Sequence, residues 1–330
     1  MTGCGDEEEG LAPMDPGETY EAYLERIDFR GSVLVIGDGK RLLDYGRGMA
    51  VSASGQPNGP DTQYRIGSLT KPFTAAAMLL LQEDGALDLD DTVADHLPDY
   101  PDGHAISLRA LLTHTAGIPD YTQREDFGSF RERSLTPRQL VDSFSGQPRT
   151  FEDGSHFEYS NGGYALLGLL VEAVSGQSYG EFVGSRVFAP LNMENSEYGQ
   201  SELGQDGRAV GYTDSGAVAA FTDMSIPYAA GGLASSTRDL ARWHQALRSG
   251  EILSDSSLVE MFTPHLGGYG LGWFIDRGTH GERHHHLGGI DGFRAFMARY
   301  PASDDLVVVL SNNQAFPVEE LSERLEATLH

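Results

Sequence analysis

The fold of this chain is decided by residues 68–81, which read SLTKPFTAAAMLLL. The part from Thr74 onward contains no glycine and is rich in helix-forming residues, so it predicts an apolar helix. Residues three apart on a helix are neighbours on one face, so the Lys71 amine can reach the Ser68 hydroxyl. A desolvated lysine can accept the serine proton as a neutral amine and so activate the hydroxyl as a nucleophile. The Ser-x-x-Lys spacing therefore indicates a nucleophile–base unit.

A second motif lies in residues 157–163, FEYSNGG, directly before another apolar helix pattern. Tyr159 and Asn161 are two positions apart, so in an extended or turn-like loop their side chains point the same way. A tyrosine near cationic groups can act as a base, and an asparagine amide can orient both a lysine and a substrate amide. Taken singly, Ser-x-x-Lys also describes a surface lysine on an ordinary helix, and Tyr-x-Asn also describes a helix-capping turn.

A third motif lies in residues 286–293, HLGGIDGF, which enter a predicted strand. Gly288 and Gly289 would let a substrate backbone lie close to the sheet edge and let a backbone N–H point at a developing oxyanion. The run of three histidines at 284–286 also fits a polar hairpin or a metal site. Adjacent histidines point in different directions and no cysteine or patterned carboxylates accompany them, so we predict no metal there.

Composition limits the partners of the protein. The 330 residues are 39% hydrophobic and 22% charged, which is typical of a soluble globular protein with one large domain or two interleaved ones. The formal net charge of -26 argues against nucleic acid or anionic lipid as a partner. No run of eighteen apolar residues occurs, so the sequence predicts no transmembrane segment.

The single cysteine, Cys4, lies in the setting MTGCGDEEE, which resembles the end of a bacterial lipobox followed by an acidic tether. If the start is truncated, Cys4 would carry a lipid anchor and the protein would lie in the periplasm or cell envelope. If Met1 is the true start, Cys4 is an incidental residue and the protein is cytoplasmic. One cysteine allows no intrachain disulfide.

The patterns along the chain predict an α/β (α+β) fold with a disordered acidic tail at 1–17 and one domain at 18–330. The predicted strands are residues 31–37, 41–46, 269–275, 292–300 and 306–310. The predicted helices include residues 18–30, 74–81, 108–112, 164–171, 238–248 and 317–329. We therefore expect an antiparallel five-stranded sheet built from both chain ends and flanked by helices, with an all-α insertion. The α/β part would be approximately 18–75 and 262–330, and the helical part approximately 76–261.

The three motifs, in this order and before a final strand pair, resemble those of the serine β-lactamase and penicillin-binding-protein superfamily. The likeness is greatest to its class C-like branch of DD-peptidases, D-amino-acid peptidases and esterases. Three further segments are similar to patterns of this branch: residues 111–118 (LLTHTAGI), 230–236 (AGGLASS) and 269–273 (YGLGW). The resemblance covers residues 18–329. It implies a β-lactamase/transpeptidase-like fold, a serine hydrolase activity, and neither a cofactor nor a metal.

The resemblance also implies roles for individual residues. Ser68 would be the acylated nucleophile and Lys71 its proton acceptor. Tyr159 would pass the proton to the leaving group and then activate the deacylating water. The backbone N–H groups of Ser68 and Gly289 would form the oxyanion hole, where negative charge develops at a helix N-terminus.

On the substrate side, the resemblance implies that Asn161 binds the amide or ester flank and that Gly288 and Gly289 border the substrate. His286 would occupy the position of a lysine in typical β-lactamases and complete an electropositive network. Leu287 departs from the family pattern, because a Thr or Ser there commonly helps to hold a substrate carboxylate and leucine cannot donate a hydrogen bond. Histidine also carries less positive charge than lysine at neutral pH.

These departures favour a carboxylesterase or a D-amino-acid or DD-peptidase-like enzyme that acts on a small-molecule ester, amide or peptidoglycan-like substrate. The alternatives are a β-lactamase, or a penicillin-binding or sensor protein that is acylated without turnover. A further alternative is a metal-dependent hydrolase that uses His114 with the histidines at 284–286.

Overall fold

The structure is a computed structural model that describes residues 10–199, 203–205 and 207–329. Its helices are α1 Tyr20–Arg26, α2 Lys71–Glu83, α3 Val93–His96, α4 Leu108–Leu112, α5 Phe127–Phe130, α6 Pro137–Ser145, α7 Asn161–Ser175, α8 Tyr179–Val183, α9 Tyr228–Gly231, α10 Thr237–Ser249, α11 Asp255–Met261 and α12 Val318–Glu326. Its strands are β1 Gly31–Gly37, β2 Lys40–Arg47, β3 Met49–Val51, β4 Gln56–Pro57, β5 Tyr64–Arg65, β6 Glu197–Tyr198, β7 Leu233–Ser235, β8 Phe274–Gly278, β9 Gly281–Ile290, β10 Phe293–Tyr300 and β11 Asp305–Ser311. Short 3-10 turns lie at Gly67–Thr70, Gly103–Ala105, Tyr121–Gln123 and Leu266–Gly268, and a π-helical turn at Gly184–Phe188.

The main sheet is antiparallel and has the spatial order β2-β1-β11-β10-β9-β8. Both chain ends contribute to it, which confirms the predicted architecture. β1 pairs with β11 from Gly31↔Ser311 to Ile36↔Leu306, and both strands are buried along their whole length. Helices pack on both faces of the sheet, so these two strands are apolar runs without alternation.

The sheet has six strands, so the prediction of five was wrong by one. The missed strand is β9, which reads GERHHHLGGI and lacks the alternation of apolar residues that marks a strand in sequence. It forms because β10 and β8 pair with its two edges and because His284 and His286 are buried on one face. The strand predicted at 269–275 begins later, as β8, because Gly272 adopts a φ of +80° and turns the chain.

The helix α2 runs through the main core of the protein. Every residue from Lys71 to Leu81 is buried, so this helix is enclosed on all sides. Its uninterrupted apolar sequence matches that environment. The alternative that Lys71 is a surface lysine is therefore wrong, because this side chain is 0% exposed.

A second, smaller hydrophobic layer covers the other face of the sheet. It contains side chains of α1 and α12, such as Leu24 and Leu321, packed against strand residues such as Phe296. Leu11 and Met14, from the segment predicted as a tail, lie against the same layer. Residues 1–9 lie outside the described residues, so the disorder predicted for the tail and the lipid anchor at Cys4 stay predictions.

The inserted segment between the two parts of the main sheet is mainly helical, as predicted. It also contains the short strands β6 and β7, which join β5 in a three-stranded sheet of order β5-β7-β6. This small sheet is the difference from the predicted all-α insertion. Across the described ranges, no helix is long and apolar enough to cross a membrane.

Candidate active site

The predicted nucleophile lies on a tight turn at the start of α2. Ser68 belongs to the 3-10 turn Gly67–Thr70, and α2 begins at Lys71 with Pro72 in its first turn. Gly67 has a φ of +51°, and a Cβ there would lie 2.8 Å from the backbone N and O of Gly289. The turn can press against β9 only because residue 67 has no side chain. This close approach brings the nucleophile turn to the strand that carries the third motif.

The Lys71 amine is buried and points at Ser68. Its Nζ lies 3.1 Å from Ser68 Oγ and donates to Asn161 Oδ1 and to the Ala230 carbonyl oxygen, each at 2.9 Å. The Asn161 and Ala230 oxygens are acceptors only, so each binds one N–H group of the amine. The remaining tetrahedral position of the Lys71 nitrogen therefore points at Ser68. Burial lowers the pKa of Lys71 to about 7, against a smaller opposing effect of Asp120. A large fraction of the amine is therefore uncharged at neutral pH and able to accept a proton.

Tyr159, in the loop before α7, and Asn161, the first residue of α7, flank this amine. Ser160 is the N-cap of α7 and accepts a hydrogen bond from the Gly163 N–H, so the loop is extended at 160 and the two side chains point to the same region. The Lys71 Nζ lies 4.6 Å from the centre of the Tyr159 ring. Burial raises the pKa of the Tyr159 phenol, opposed by a hydrogen bond with Ser68. Tyr159 is therefore a neutral phenol that can donate its hydroxyl proton. To accept a proton from another group, it must pass its own proton to a second base.

Asp120 was missed by the sequence analysis. The Asn161 Nδ2 donates to Asp120 Oδ2 at 3.1 Å and faces Thr122 Oγ1 at 3.4 Å. A carboxylate accepts only, so this contact fixes the amide with its oxygen towards Lys71. No local pattern connects Asp120 with Asn161, which lies 41 positions later. The only local signal is the capping of the turn Tyr121–Gln123 by Asp120.

His114 packs against the Tyr159 ring. Its ring centre lies 4.2 Å from that of Tyr159, and its Nδ1 accepts the backbone N–H of Ser160 at 3.1 Å. Burial lowers the pKa of His114 well below its ordinary value, and the nearby Lys71 adds to this effect. A neutral ring in this place positions Tyr159 and carries no charge.

His286 lies beneath the site, 1% exposed, with its ring centre 6.2 Å from that of Tyr159. Its Nδ1 faces the Leu287 carbonyl oxygen at 2.7 Å and its Nε2 faces the Tyr269 hydroxyl at 3.0 Å. A carbonyl only accepts, so Nδ1 carries the proton and Nε2 accepts from Tyr269. Burial and the nearby Lys71 lower the pKa of His286 to about 3. The ring is therefore neutral at neutral pH, and both of its nitrogens are bonded within the protein.

The two glycines of the third motif have different surroundings. A Cβ at Gly288 would lie 1.9 Å from the Ile66 carbonyl oxygen, so this glycine is buried against the nucleophile turn and not against open space. Gly289 is exposed and borders the cleft above Ser68. β8 pairs with β9 only as far as His285, so the edge of β9 at Gly289 faces the nucleophile turn. This is the arrangement in which the Ser68 and Gly289 N–H groups could converge on one oxygen.

A cleft of about 570 Å³ opens above these groups. Of the predicted site residues, Ser68, Asn161 and Gly289 line it, together with Leu287. Lys71, His286 and Gly288 are buried beneath, and Tyr159 is half-buried between the two layers. The structure thus brings the predicted residues together around one serine.

The neighbouring histidines of β9 have separate protein partners. His284 Nε2 lies 2.9 Å from Glu282 Oε1, and His285 Nε2 lies 3.2 Å from Asp276 Oδ2. Within residues 10–199, 203–205 and 207–329, no group of three His, Cys, Asp or Glu side chains is placed to hold a metal. The metal-dependent alternative therefore has no site among these residues.

A second serine pattern also occurs in the chain. Residues 176–180 read GQSYG and match the Gly-x-Ser-x-Gly signature of α/β-hydrolases. In the structure, Ser178 is exposed and forms a capping box with Glu181 at the start of α8. It lacks the strand-to-helix elbow of such enzymes, so Ser178 has a structural role here.

Comparison with known proteins identifies the family of the chain. The chain is similar to the crystal structure of a penicillin-binding protein from Bacillus halodurans, with 28% identity over 92% of this chain and 96% of that chain and a TM-score of 0.81. It is similar to the crystal structure of a D-amino acid amidase from Ochrobactrum anthropi SV3, with 28% identity over 92% of this chain and 94% of that chain and a TM-score of 0.79. It is also similar to a D-stereospecific amidohydrolase from Streptomyces sp. (28%, 91% and 95%, 0.78). The family model described as Beta-lactamase matches residues 19–329. The chain therefore belongs to the β-lactamase family.

Proposed function

We propose that this protein is a serine hydrolase that cleaves an amide or ester through a covalent acyl intermediate on Ser68. The observation that carries the proposal is the buried Lys71 amine, which lies 3.1 Å from Ser68 Oγ and has a pKa lowered to about 7. A serine beside a base that is uncharged at neutral pH is an activated nucleophile. The amidohydrolases among the similar structures support an amide as one substrate class.

The acylation step follows from this arrangement. The Ser68 Oγ–H proton passes to Lys71 Nζ while Oγ bonds to the substrate carbonyl carbon. The carbonyl oxygen becomes negative between the backbone N–H groups of Ser68 and Gly289. The bond to the leaving nitrogen or oxygen then breaks, and that atom takes the Tyr159 hydroxyl proton. Tyr159 recovers a proton from the Lys71 ammonium, which returns both groups to their starting state.

Deacylation reverses the roles. A water molecule gives its proton to the Tyr159–Lys71 pair while its oxygen attacks the acyl carbon, and Ser68 leaves with a proton from the same pair. Leu287 is 40% exposed at the cleft wall and offers no donor to a substrate carboxylate. We therefore place carboxylesterase or D-amino-acid amidase and DD-peptidase-like activity above β-lactamase activity.

Intact-protein mass spectrometry tests the proposal. The protein is incubated briefly with p-nitrophenyl butyrate and, separately, with a fluorogenic penicillin, and product release is followed in parallel. We expect a Ser68 adduct that turns over on the ester, and no adduct in Ser68→Ala with an unchanged melting temperature. A persistent penicillin adduct without release would indicate the penicillin-binding alternative. Ester hydrolysis retained in Ser68→Ala would refute the nucleophile.

A further inference from the structure

Three cleft-lining side chains that have no part in the proposed catalysis are hydrogen-bonded to one another. Arg131 Nη1 donates to both carboxylate oxygens of Asp291, at 2.7 and 2.9 Å, and Thr222 Oγ1 donates to Asp291 Oδ2 at 2.5 Å. All three side chains line the cleft. Arg131 follows α5 in the inserted segment, whereas Asp291 lies in the turn between β9 and β10. These three residues, called the clasp below, therefore join the two walls of the cleft.

Both halves of the clasp are held by backbone contacts. The Asp223 N–H donates to the Arg131 carbonyl oxygen at 2.9 Å, which fixes the segment of Arg131 beside that of Thr222. The Gly292 N–H donates to Gln314 Oε1 at 3.0 Å, which fixes the turn that carries Asp291. A charged pair supported in this way resists opening by a substrate more than two free surface side chains would.

The proposed chemistry shows which part of a substrate meets the clasp. Tyr159 supplies the leaving-group proton, and its ring packs beside His286, so the leaving group departs at the Leu287 end of β9. The acyl group must then extend from the oxyanion position at Gly289 in the other direction, towards Asp291. Asp291 is two residues after Gly289, with only Ile290 between them, and two extended steps correspond to about 7 Å. One extended amino-acid residue fits in this length, and a second would collide with the clasp.

A neighbouring cavity of about 480 Å³ shares Leu287, Arg294 and Gln314 with the cleft. A leaving group that extends past Leu287 can continue into this cavity. The walls of the cleft also include the apolar side chains of Phe127, Ile226 and Pro227.

We propose that the clasp limits the acyl group of the substrate to one amino-acid residue, or an apolar group of similar length, whereas the leaving group can be long. This inference rests on the proposed function, because it uses Ser68 and Tyr159 to orient the substrate. It distinguishes an enzyme that removes one terminal residue or hydrolyses amino-acid amides from one that cleaves within a longer acyl peptide.

The test compares kcat/KM for the p-nitroanilides of phenylalanine and of glycylglycylphenylalanine, in the D and L series, for the wild type and for Arg131→Ala. We expect the wild type to prefer the short acyl group by at least about tenfold, and Arg131→Ala to raise the long-to-short ratio by about tenfold. Asp291→Asn is a second variant, which keeps the shape of the side chain and removes its charge. Arg138→Ala, which breaks an exposed ion pair with Asp142 on α6, is the control and should leave the ratio unchanged.

Two results would overturn the clasp proposal without affecting the proposed hydrolase activity. The first is a comparable kcat/KM for both acyl lengths in the wild type. The second is a long-to-short ratio equal to that of the wild type in both clasp variants, once circular dichroism has shown that they are folded. Wild-type hydrolysis of p-nitrophenyl butyrate is measured in parallel. If that ester and both anilides are left intact, the proposed function fails, and the clasp proposal fails with it.

Discussion

Asn161 accepts a hydrogen bond of 2.9 Å from Lys71, and this contact helps to determine the direction in which the Lys71 amine points. The amide oxygen takes one N–H of the amine and the Ala230 carbonyl takes another, so the last position faces Ser68. Asp120 holds the other end of the Asn161 amide. A chain of contacts therefore runs from Asp120 through Asn161 and Lys71 to Ser68.

The first prediction concerns the pH dependence of acylation. Burial lowers the pKa of Lys71 to about 7, and the protonated amine cannot accept the Ser68 proton. We expect kcat/KM for p-nitrophenyl butyrate to rise with pH through an apparent pKa near 7 and then to level off. The pH profile measured between pH 5 and 9 checks this, and a rate independent of pH across that range would contradict it.

Asp120→Asn provides the matched variant for this profile. The Asp120 charge raises the pKa of Lys71, so its removal lowers that pKa and shifts the rising limb to lower pH, by on the order of one unit. A shift in the opposite direction would show that another group controls the limb.

The second prediction concerns the two glycines of β9. A Cβ at Gly288 would lie 1.9 Å from the Ile66 backbone oxygen, whereas one at Gly289 would lie 3.0 Å from the flexible end of Arg294. We expect Gly288→Ala to reduce the free energy of unfolding by about 1–3 kcal/mol, because backbone must move. Gly289→Ala should reduce it much less. Urea unfolding of both variants makes the comparison, and equal losses would contradict it.

The third prediction concerns Leu287, which is exposed at the cleft wall. A threonine there would supply a hydroxyl donor for a substrate carboxylate. We expect Leu287→Thr to increase the second-order rate of acylation by a penicillin by about tenfold. Leu266→Thr, at another exposed leucine, is the control. If acylation by the penicillin is unchanged or slower in Leu287→Thr, this interpretation of position 287 is wrong.

The fourth prediction concerns stability in acid. Burial lowers the pKa of His286 from 6.5 to about 3, so between these values the unfolded imidazole binds a proton and the folded one does not. The contribution of this residue to stability is complete above pH 6.5 and falls as the pH falls, by about 1.4 kcal/mol per pH unit.

Replacement of His286 tests the sign of this dependence of stability on pH. We expect the unfolding free energy of His286→Gln to decrease less steeply than that of the wild type between pH 6.5 and 4. The difference in slope should correspond to about one proton fewer taken up on unfolding. Val259→Thr, at an exposed position, removes no titratable group and should leave the slope unchanged. Urea unfolding at several pH values gives the slopes, and a slope in His286→Gln equal to that of the wild type would contradict the prediction.

The sequence by itself determined the features that depend on local spacing and composition. Ser68 and Lys71 are three residues apart and an apolar run follows them, so a buried helix that brings these two side chains together was predictable from the chain. The apolar runs of β1 and β11 likewise predicted strands of one sheet. The order of the three motifs was sufficient to indicate the β-lactamase family, to which the chain belongs.

Only the tertiary structure decided the features that depend on distant neighbours. β9 is a strand because two other strands pair with it, although its own residues do not show a strand pattern. The pKa of Lys71 and the neutral state of His286 follow from desolvation, which is set by everything packed around a side chain. Asp120 with Asn161, and Arg131 with Asp291, are pairs separated by 41 and 160 positions. No local pattern encodes such contacts, because they arise only when the sheet and the helical segment close around the cleft.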